Sequence, residues 1–339
     1  MESSARMGST ESRARGRLRR AVARFNIGED LVLTVVPYVL LLALMTSLAI
    51  LQPQSLSTVH IARIVNISMP LMLVAIGQLI VTLTGGMDLS VGGVFSLTSA
   101  IVTASGAWGL PIGPVVIVVC LLGWLPGLVN GILIVYARVK PFIVTLATWF
   151  VYGGLALTVL REAGGSIDKS LGLLSTGKIA GVGASIWVIT GIALFGVWFL
   201  RTRVGLEIKS IGSNREAAFH SGVNVKRVEV IAYCLASLFA VLGGVFFSSQ
   251  VLSGDPTIGD GYILASFAVV AVGGTRLSGG WGNITGTVVG ALVLSYLLSV
   301  NYALHLATQW VQILQGLLLI FSVAIQSAIR WLFRRGKEL

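Results

Sequence analysis

The chain has 339 residues, of which 55% are hydrophobic and only 11% are charged, and its mean hydropathy is +0.91. Soluble domains contain about 25% charged residues, so this composition excludes a soluble globular protein and predicts an integral membrane protein. The net charge of +11 does not indicate nucleic-acid binding, because Lys and Arg stand at the ends of apolar runs, where membrane topology explains them.

Apolar runs predict the membrane helices in chain order. A helix that crosses the bilayer needs roughly 20 apolar residues. Runs that approach this length lie at 31–51, 62–84, 90–108, 113–135, 142–160, 185–200, 228–250, 262–273, 283–300 and 307–329. The eighth run is so short that it must borrow flanking residues or form a half-helix buried among its neighbours. The sequence therefore predicts an all-α polytopic membrane protein of about ten transmembrane helices, with broken or half-helices, over residues 31–329.

Basic residues predict the orientation of the chain. With a cytoplasmic N-terminus, all Lys and Arg lie on the cytoplasmic side except Arg63, Arg161, Lys169 and Lys178, as expected from the accumulation of positive charge inside. We therefore expect both termini in the cytoplasm, with basic tails at 1–30 and 330–339. The first tail contacts anionic membrane lipid or only fixes the orientation, and both alternatives stay open.

Two stretches share the pattern Gly-Gly-x-x-Leu-Ser-x-Gly, at 85–92 and 273–280, on the same predicted side of the membrane. They indicate a duplicated half-transporter element or a coincidence in a glycine-rich chain. The glycines singled out in them are Gly85, Gly86, Gly92, Gly273, Gly274 and Gly279. Within the first stretch, Asp88 or Ser90 could cap the third helix; the alternative makes Asp88 a residue of the transport pathway.

Uncharged polar side chains in the apolar runs are candidates for the path of a polyhydroxylated solute, because hydroxyl and amide groups exchange hydrogen bonds with it. The candidates are Asn66, Gln78, Asn130, Thr148 and Trp149, together with Thr82, Thr98, Thr145, Phe150 and Gln250. Each of them could equally bond or pack against a neighbouring helix. The outer loops carry charges, among them Glu162, Asp168, Asp255 and Asp260, which suit docking of a soluble partner or simple solvation.

The longest inner loop, 201–227, contains a helix-start pattern in which Glu216 follows Ser213 by three residues. Gly222 supplies a stop signal. The pattern predicts a short helix at about 214–221, isolated between two membrane helices and stabilised by docking into a partner. The alternative is an ordinary loop with a frayed turn.

Three runs carry a family resemblance. The run from Ile211 to Arg227 resembles the coupling segment of ribose-type permeases of bacterial ABC importers, with Glu216, Ala217, Ala218 and Gly222 at its core. Residues 85–92 look like that family's Gly-Gly-Ile-Asp-Leu-Ser-Val-Gly signature, and 272–280 look like its second glycine-rich signature. The resemblance covers about residues 60–330. The Leu-Pro that closes the coupling motif in many other importers is missing.

The resemblance implies a permease subunit in the bacterial inner membrane that works as a homodimer. It implies a cytoplasmic ABC ATPase, which binds MgATP and contacts the coupling segment at Asn214, Glu216, Ala217, Ala218 and Gly222. It also implies a periplasmic binding protein that delivers a monosaccharide, which could be a pentose, a hexose or a related polyol. The chain itself would bind no cofactor.

Two other classes of protein fit the residues less well. A stand-alone secondary transporter or channel would use ionisable groups near the middle of the membrane, and the three histidines stand at helix ends or in the inner loop. A membrane enzyme would need paired carboxylates, a metal-ligand cluster or an activated nucleophile, and no such pattern is evident. The stretch from Gly172 to Lys178 imitates a nucleotide-binding loop, but Ile179 replaces the required Ser or Thr.

Overall fold

The computed structural model describes residues 31–307 and 309–335. Fourteen helices account for almost all of the regular structure there. They are α1 (Leu31–Leu51), α2 (Thr58–Leu83), α3 (Ser90–Ala107), α4 (Ile112–Leu122), α5 (Leu125–Val135), α6 (Pro141–Val159), α7 (Lys169–Thr176), α8 (Ala184–Phe199), α9 (Arg203–Ser213), α10 (Arg215–His220), α11 (Val225–Val251), α12 (Asp260–Val272), α13 (Ile284–Ala303) and α14 (Gln309–Arg335). A 3₁₀ turn at Pro53–Leu56 and an antiparallel pair, β1 (Lys178–Ile179) with β2 (Val182–Gly183), complete the fold.

All ten predicted apolar runs are helical. Eight spans in the described residues are long and apolar enough to cross a membrane, with α4 and α5 forming one of them. A ninth is possible if α8 and α9, which meet at 69°, form one broken span. The helix at the eighth run, α12, has 13 residues. The all-α, polytopic prediction with broken helices is therefore confirmed. The predicted tail at 1–30 lies outside the described residues, and helix α14 continues through 330–335.

Helices α2, α3 and α11 form the buried centre of the bundle. Their most apolar windows are 78%, 78% and 61% buried, whereas the window of α14 is 6% buried. Small residues permit this packing: a Cβ at Gly77 would lie 2.8 Å from the carbonyl oxygen of Ala236, and one at Gly127 would overlap Tyr233. Close backbone contact of this kind is how helices associate in lipid.

The short helix α12 is a half-helix enclosed by its neighbours. Nearly all of its residues from Ile263 onward are buried, and it packs against α2, α13 and α14. At 1.5 Å per residue its 13 residues rise only about 20 Å. It therefore cannot cross a bilayer by itself, in agreement with the half-helix alternative.

The segment 160–183 lies beside the segment that follows α11. Gly164 and Gly254 form an antiparallel bridge, and Asp168 caps α7 by accepting a hydrogen bond from the Ser170 N–H at 2.7 Å. Gly172 lies inside α7, so the stretch that imitates a nucleotide-binding loop is helical where such a loop would have to be open.

Candidate functional site

The short helix predicted at 214–221 exists, with one correction to its start. Helix α10 covers Arg215–His220, and its cap is Asn214, whose Oδ1 accepts from the Ala217 N–H at 2.9 Å. Ser213 was the wrong cap, because it is the last residue of α9 and its hydroxyl donates to the Lys209 carbonyl. For the same reason α10 is not isolated: α9 leads directly into it.

Gly222 ends α10 as the sequence predicts. Its φ is +84°, which favours glycine over any residue with a Cβ. The Gly222 N–H donates to Phe219 at 3.0 Å and the Val223 N–H donates to Ala218 at 3.1 Å, the paired bonds of a Schellman motif. Both ends of α10 are therefore satisfied by residues of the same segment.

An ion pair that the sequence analysis missed ties α10 to α11. The Arg215 guanidinium makes two hydrogen bonds with the Glu229 carboxylate, Nη1 to Oε1 and Nη2 to Oε2. The Glu229 side chain is only 9% exposed, while that of Arg215 is 61% exposed. A carboxylate one turn into a membrane helix needs a partner, and this was the signal in the sequence that could have identified Glu229.

The face of α10 that points away from the bundle is exposed and partly apolar. Phe219 is 66% exposed, and it lines a cavity of about 650 Å³ with Arg215, Glu216, Gly222 and the residues up to Lys226. The predicted contact residues Asn214, Glu216, Ala217 and Gly222 are exposed, whereas Ala218 is buried. Four of the five are thus available to a partner in the single chain, and Ala218 anchors the helix instead.

The two glycine-rich stretches end helices in the same way, but with a shift of one residue. Gly85 (φ +82°) ends α2, and Gly274 (φ +82°) ends α12; each is followed by the two hydrogen bonds of a Schellman motif. The sequence pattern aligns Gly85 with Gly273 rather than with Gly274. Helix geometry therefore agrees at both sites, while the duplication of a half-transporter stays a prediction.

The two stretches meet each other and the end of α9. The Gly280 N–H donates to the Leu83 carbonyl at 3.0 Å. A Cβ at Gly279 would lie 2.7 Å from the Gly85 nitrogen, and one at Gly212 would overlap both Leu83 and Gly280. Three segments thus touch backbone to backbone. We call this contact of Gly85, Gly212, Gly279 and Gly280 the glycine junction.

Asp88 is buried at the start of α3. Its Oδ1 accepts from the Ser90 N–H at 2.9 Å and from the Ser90 hydroxyl at 2.6 Å, and Asn130 Nδ2 donates to that hydroxyl at 2.7 Å. Burial raises the pKa of Asp88 to about 6, and the two Ser90 donors oppose this shift. The N-cap residue of α3 is Leu89, without a side-chain cap bond, so neither Asp88 nor Ser90 is the cap. Asp88 instead satisfies the N–H of Ser90, the first residue of α3, and the Ser90 hydroxyl ties α3 to α5. A place for Asp88 on the transport pathway stays a prediction.

The predicted pathway residues bond different parts of the fold. Among the described residues, no hydrogen bond joins any of Asn66, Gln78, Asn130, Thr148 and Trp149 to another. Thr148 donates to the Val144 carbonyl of its own helix. The Gln78 amide is fully buried, and neither of its polar atoms has a partner in the described part of the chain. The place of these five residues on the transport pathway stays a prediction.

The sequence suggested that Asp260 lies in an outer charged loop, and the structure corrects this. It is the first residue of α12, and its Oδ1 accepts from Trp149 Nε1 on α6 at 2.8 Å. The loop before it turns back into the bundle, where the Gly259 N–H donates to Ser96 of α3. This return was hidden in the sequence, because no local pattern distinguishes an outer loop from one that folds inward.

In the part of the chain that the structure describes, eight or nine apolar spans with a half-helix among them define a polytopic membrane protein. Residues 60–323 match the protein family described as "Branched-chain amino acid transport system / permease component". No solved structure matches the chain.

Individual relatives of the chain are permeases named for sugars. The chain is 30% identical over 312 residues to the ribose import permease protein RbsC of Haemophilus influenzae, covering 90% of this chain and 96% of that protein. It is 32% identical over 315 residues to the galactose/methyl galactoside import permease protein MglC of Salmonella typhimurium, with 86% and 93% covered. It is 32% identical over 273 residues to the fructose import permease protein FruG of Bifidobacterium longum, with 76% and 80% covered.

The chain therefore belongs to the permease family of bacterial monosaccharide ABC importers, and the resemblance carried by its motifs is confirmed. It is the permease component of such a system and not itself an ATPase. This membership decides against the stand-alone transporter and the membrane enzyme.

Proposed function

We propose that this chain is the membrane permease that receives a ribose-, galactose- or fructose-type monosaccharide from a periplasmic binding protein and conducts it into the cytoplasm. Its characterised relatives are named for such sugars. Two copies form the pathway, both termini face the cytoplasm, and the assembly lies in the inner membrane. Energy comes from MgATP hydrolysed by a partner ATPase.

The observation that carries this proposal is the position of α10. Its exposed face presents Phe219 beside Glu216 and Gly222, as a docking element requires. Its other side is anchored to α11 by the pair Arg215–Glu229, and α9 connects it to the glycine junction. An ATPase that moves α10 would therefore move the ends of α2 and α12.

Basic residues beside α10 form a positively charged surface that would complement an acidic partner. A cavity of about 450 Å³ is lined by Arg138, Lys140, Arg215 and Lys226 together with Glu229. Positive charge at this face agrees with its assignment to the cytoplasm, and it would speed the encounter with an acidic partner surface.

Reconstitution tests the proposal. The chain is incorporated in liposomes with the ATPase and binding protein encoded beside it, and uptake of radiolabelled D-ribose, D-galactose and D-fructose is measured. We expect uptake of at least one sugar that requires both ATP and the binding protein. Uptake that continues without the ATPase, or no uptake of any of the three sugars, would contradict the proposal.

A further inference from the structure

An exposed carboxylate lies beside an aromatic pair on the surface of the single chain. Trp149 Nε1–H donates a hydrogen bond to Oδ1 of Asp260 at 2.8 Å. The Trp149 ring stacks on Phe150 with ring centroids 4.7 Å apart. Asp260 has no ion-pair partner among the described residues, in which the ion pairs are Arg203–Glu207 and Arg215–Glu229. One carboxylate oxygen is thus held in place and the other remains available.

The depth of this group in the bundle is unusual for a carboxylate. Trp149 is the ninth of the 19 residues of α6, so at 1.5 Å per residue it lies about 12 Å from one end and about 15 Å from the other. Asp260, bonded to it, therefore lies near the middle of a span. A carboxylate that faced hydrocarbon there would cost several kcal/mol, so this surface must face water or protein.

The residues around Asp260 combine a hydrogen-bond acceptor with apolar and aromatic surface, as a sugar contact requires. Phe150 is 64% exposed and Leu264 is 68% exposed, so apolar surface surrounds the carboxylate on both α6 and α12. A carboxylate accepts hydrogen bonds from sugar hydroxyls, and the aromatic surface offers an apolar platform for the C–H face of the ring. Asp260 needs no counter-ion if water and sugar solvate it.

We propose that Trp149 and Asp260 form a sugar-contact subsite at mid-depth of the transport pathway, on the face that a second copy of the chain completes. This inference rests on the proposed function and specifies where a neutral monosaccharide is contacted. Trp149 holds Asp260 in place and offers its ring to the sugar, and Asp260 accepts hydroxyl hydrogens. The half-helix α12 begins at this point, so the subsite is connected through α12 to the glycine junction.

The test is uptake in the reconstituted importer, with D-ribose, D-galactose and D-fructose as probes. For Asp260→Asn and Trp149→Leu we expect at least a tenfold loss of uptake, fewer sugar molecules transported per ATP, and an altered ratio among the three sugars. Trp149→Phe retains a ring and should lose less than Trp149→Leu. The control Thr158→Val changes an exposed polar side chain of the same helix, whose hydroxyl bonds the Leu155 carbonyl, and should leave uptake within twofold. Variants of Asp260 and Trp149 that all stay within twofold overturn the subsite.

A labelling experiment tests independently whether position 260 is exposed to water. In a background with Cys120→Ala and Cys234→Ala, Asp260→Cys should react with a charged, membrane-impermeant thiol reagent, and the transported sugar should slow the reaction. No reaction, together with normal uptake and higher stability for Asp260→Leu, would place Asp260 against lipid or a dry interface and overturn the inference. If the unmodified importer transports none of the three sugars, the proposed function fails as well; if it does and the variants are unaffected, only the subsite fails.

Discussion

The two short helices of this permease, α10 and α12, are held in different ways. Helix α10 is capped within its own segment, by Asn214 at its start and by Gly222 at its end. Helix α12 has a local stop at Gly274 but no side-chain cap at its start. Partners distant in the chain add to it: Ser96 bonds the residue before it, Trp149 bonds its first residue, and Gln326 of α14 bonds its end. A segment that carries its own caps can move as a unit, whereas α12 is positioned only when the bundle surrounds it.

The largest expected effect comes from breaking the local stop of α10. Gly222→Val forces a β-branched residue into φ +84°, a conformation that costs an L-residue roughly 1–2 kcal/mol, and more when the side chain is branched. Because six residues make a marginal helix, we expect at least a tenfold loss of co-purified ATPase and of uptake. Gly222→Asn, which tolerates this conformation, should retain more of both, and Gly316→Val in open space should have little effect. Unchanged ATPase association in Gly222→Val would contradict this expectation.

The next effect tests the long-range support of α12. Gln326 Nε2 donates to the carbonyls of Ala271 at 3.2 Å and Thr275 at 3.1 Å. Gln326→Leu leaves the buried Thr275 carbonyl without this donor, whereas the Ala271 carbonyl keeps the Gly274 N–H. We expect a loss of about 2 kcal/mol in the free energy of unfolding, measured as a lower melting temperature in detergent. The matched control is Gln312→Leu, at an exposed position of the same helix. Equal melting temperatures for the two variants would show that α14 does not support α12.

A smaller effect concerns the ion pair between α10 and α11. Arg215→Met leaves the buried Glu229 carboxylate without its partner, and we expect a cost of about 1 to 2 kcal/mol because Arg215 itself is largely exposed. The double variant Arg215→Met with Glu229→Met should regain most of that stability but not the ATP-driven uptake. Arg203→Met, which breaks the exposed pair with Glu207, serves as the control and should cost about 0.5 kcal/mol or less. A double variant that is as unstable as the single one would contradict a pairwise contact.

The smallest expected effect concerns the Asn214 cap, which holds α10 within its own segment. Asn214→Ala removes the cap of α10, which is worth about 1 kcal/mol, so ATPase binding should weaken several-fold in a pull-down titration. The melting temperature of the bundle should not change, because the cap contacts only α10. Asn214→Asp keeps an acceptor and should bind the ATPase almost normally. Loss of overall stability in Asn214→Ala would mean that α10 is not held locally.

The same contrast explains what the sequence could predict. The short inner helix was expected at 214–221 and is found at Arg215–His220, because its stop signal and its polar start are local. The length of the run at 262–273 predicts either a helix that borrows flanking residues or a half-helix, and a helix of 13 residues is found at Asp260–Val272. Local chemistry and hydrophobic length thus predicted both elements to within two residues.

Contacts between distant segments could not be predicted in this way. Asp260 was assigned to an outer loop, although it bonds Trp149, 111 positions away. Glu229 was not recognised as the partner of Arg215, because a single sequence does not indicate which charge a buried carboxylate meets. The shared pattern of the two glycine stretches is visible in the sequence. Their contact with Gly212 is not, because it depends on how α9 bends away from α8. The candidate site residues were therefore predicted individually, while their grouping came from the fold.

The glycine junction has a mechanical consequence. Side chains usually lie between neighbouring helices and can change rotamer, so a displacement of one helix is partly absorbed before it reaches the next. At Gly85, Gly212 and Gly279 the main chains touch directly, and no flexible layer separates them. We therefore expect a displacement of one of the three segments to displace the other two directly, so that the ends of α2 and α12 move together.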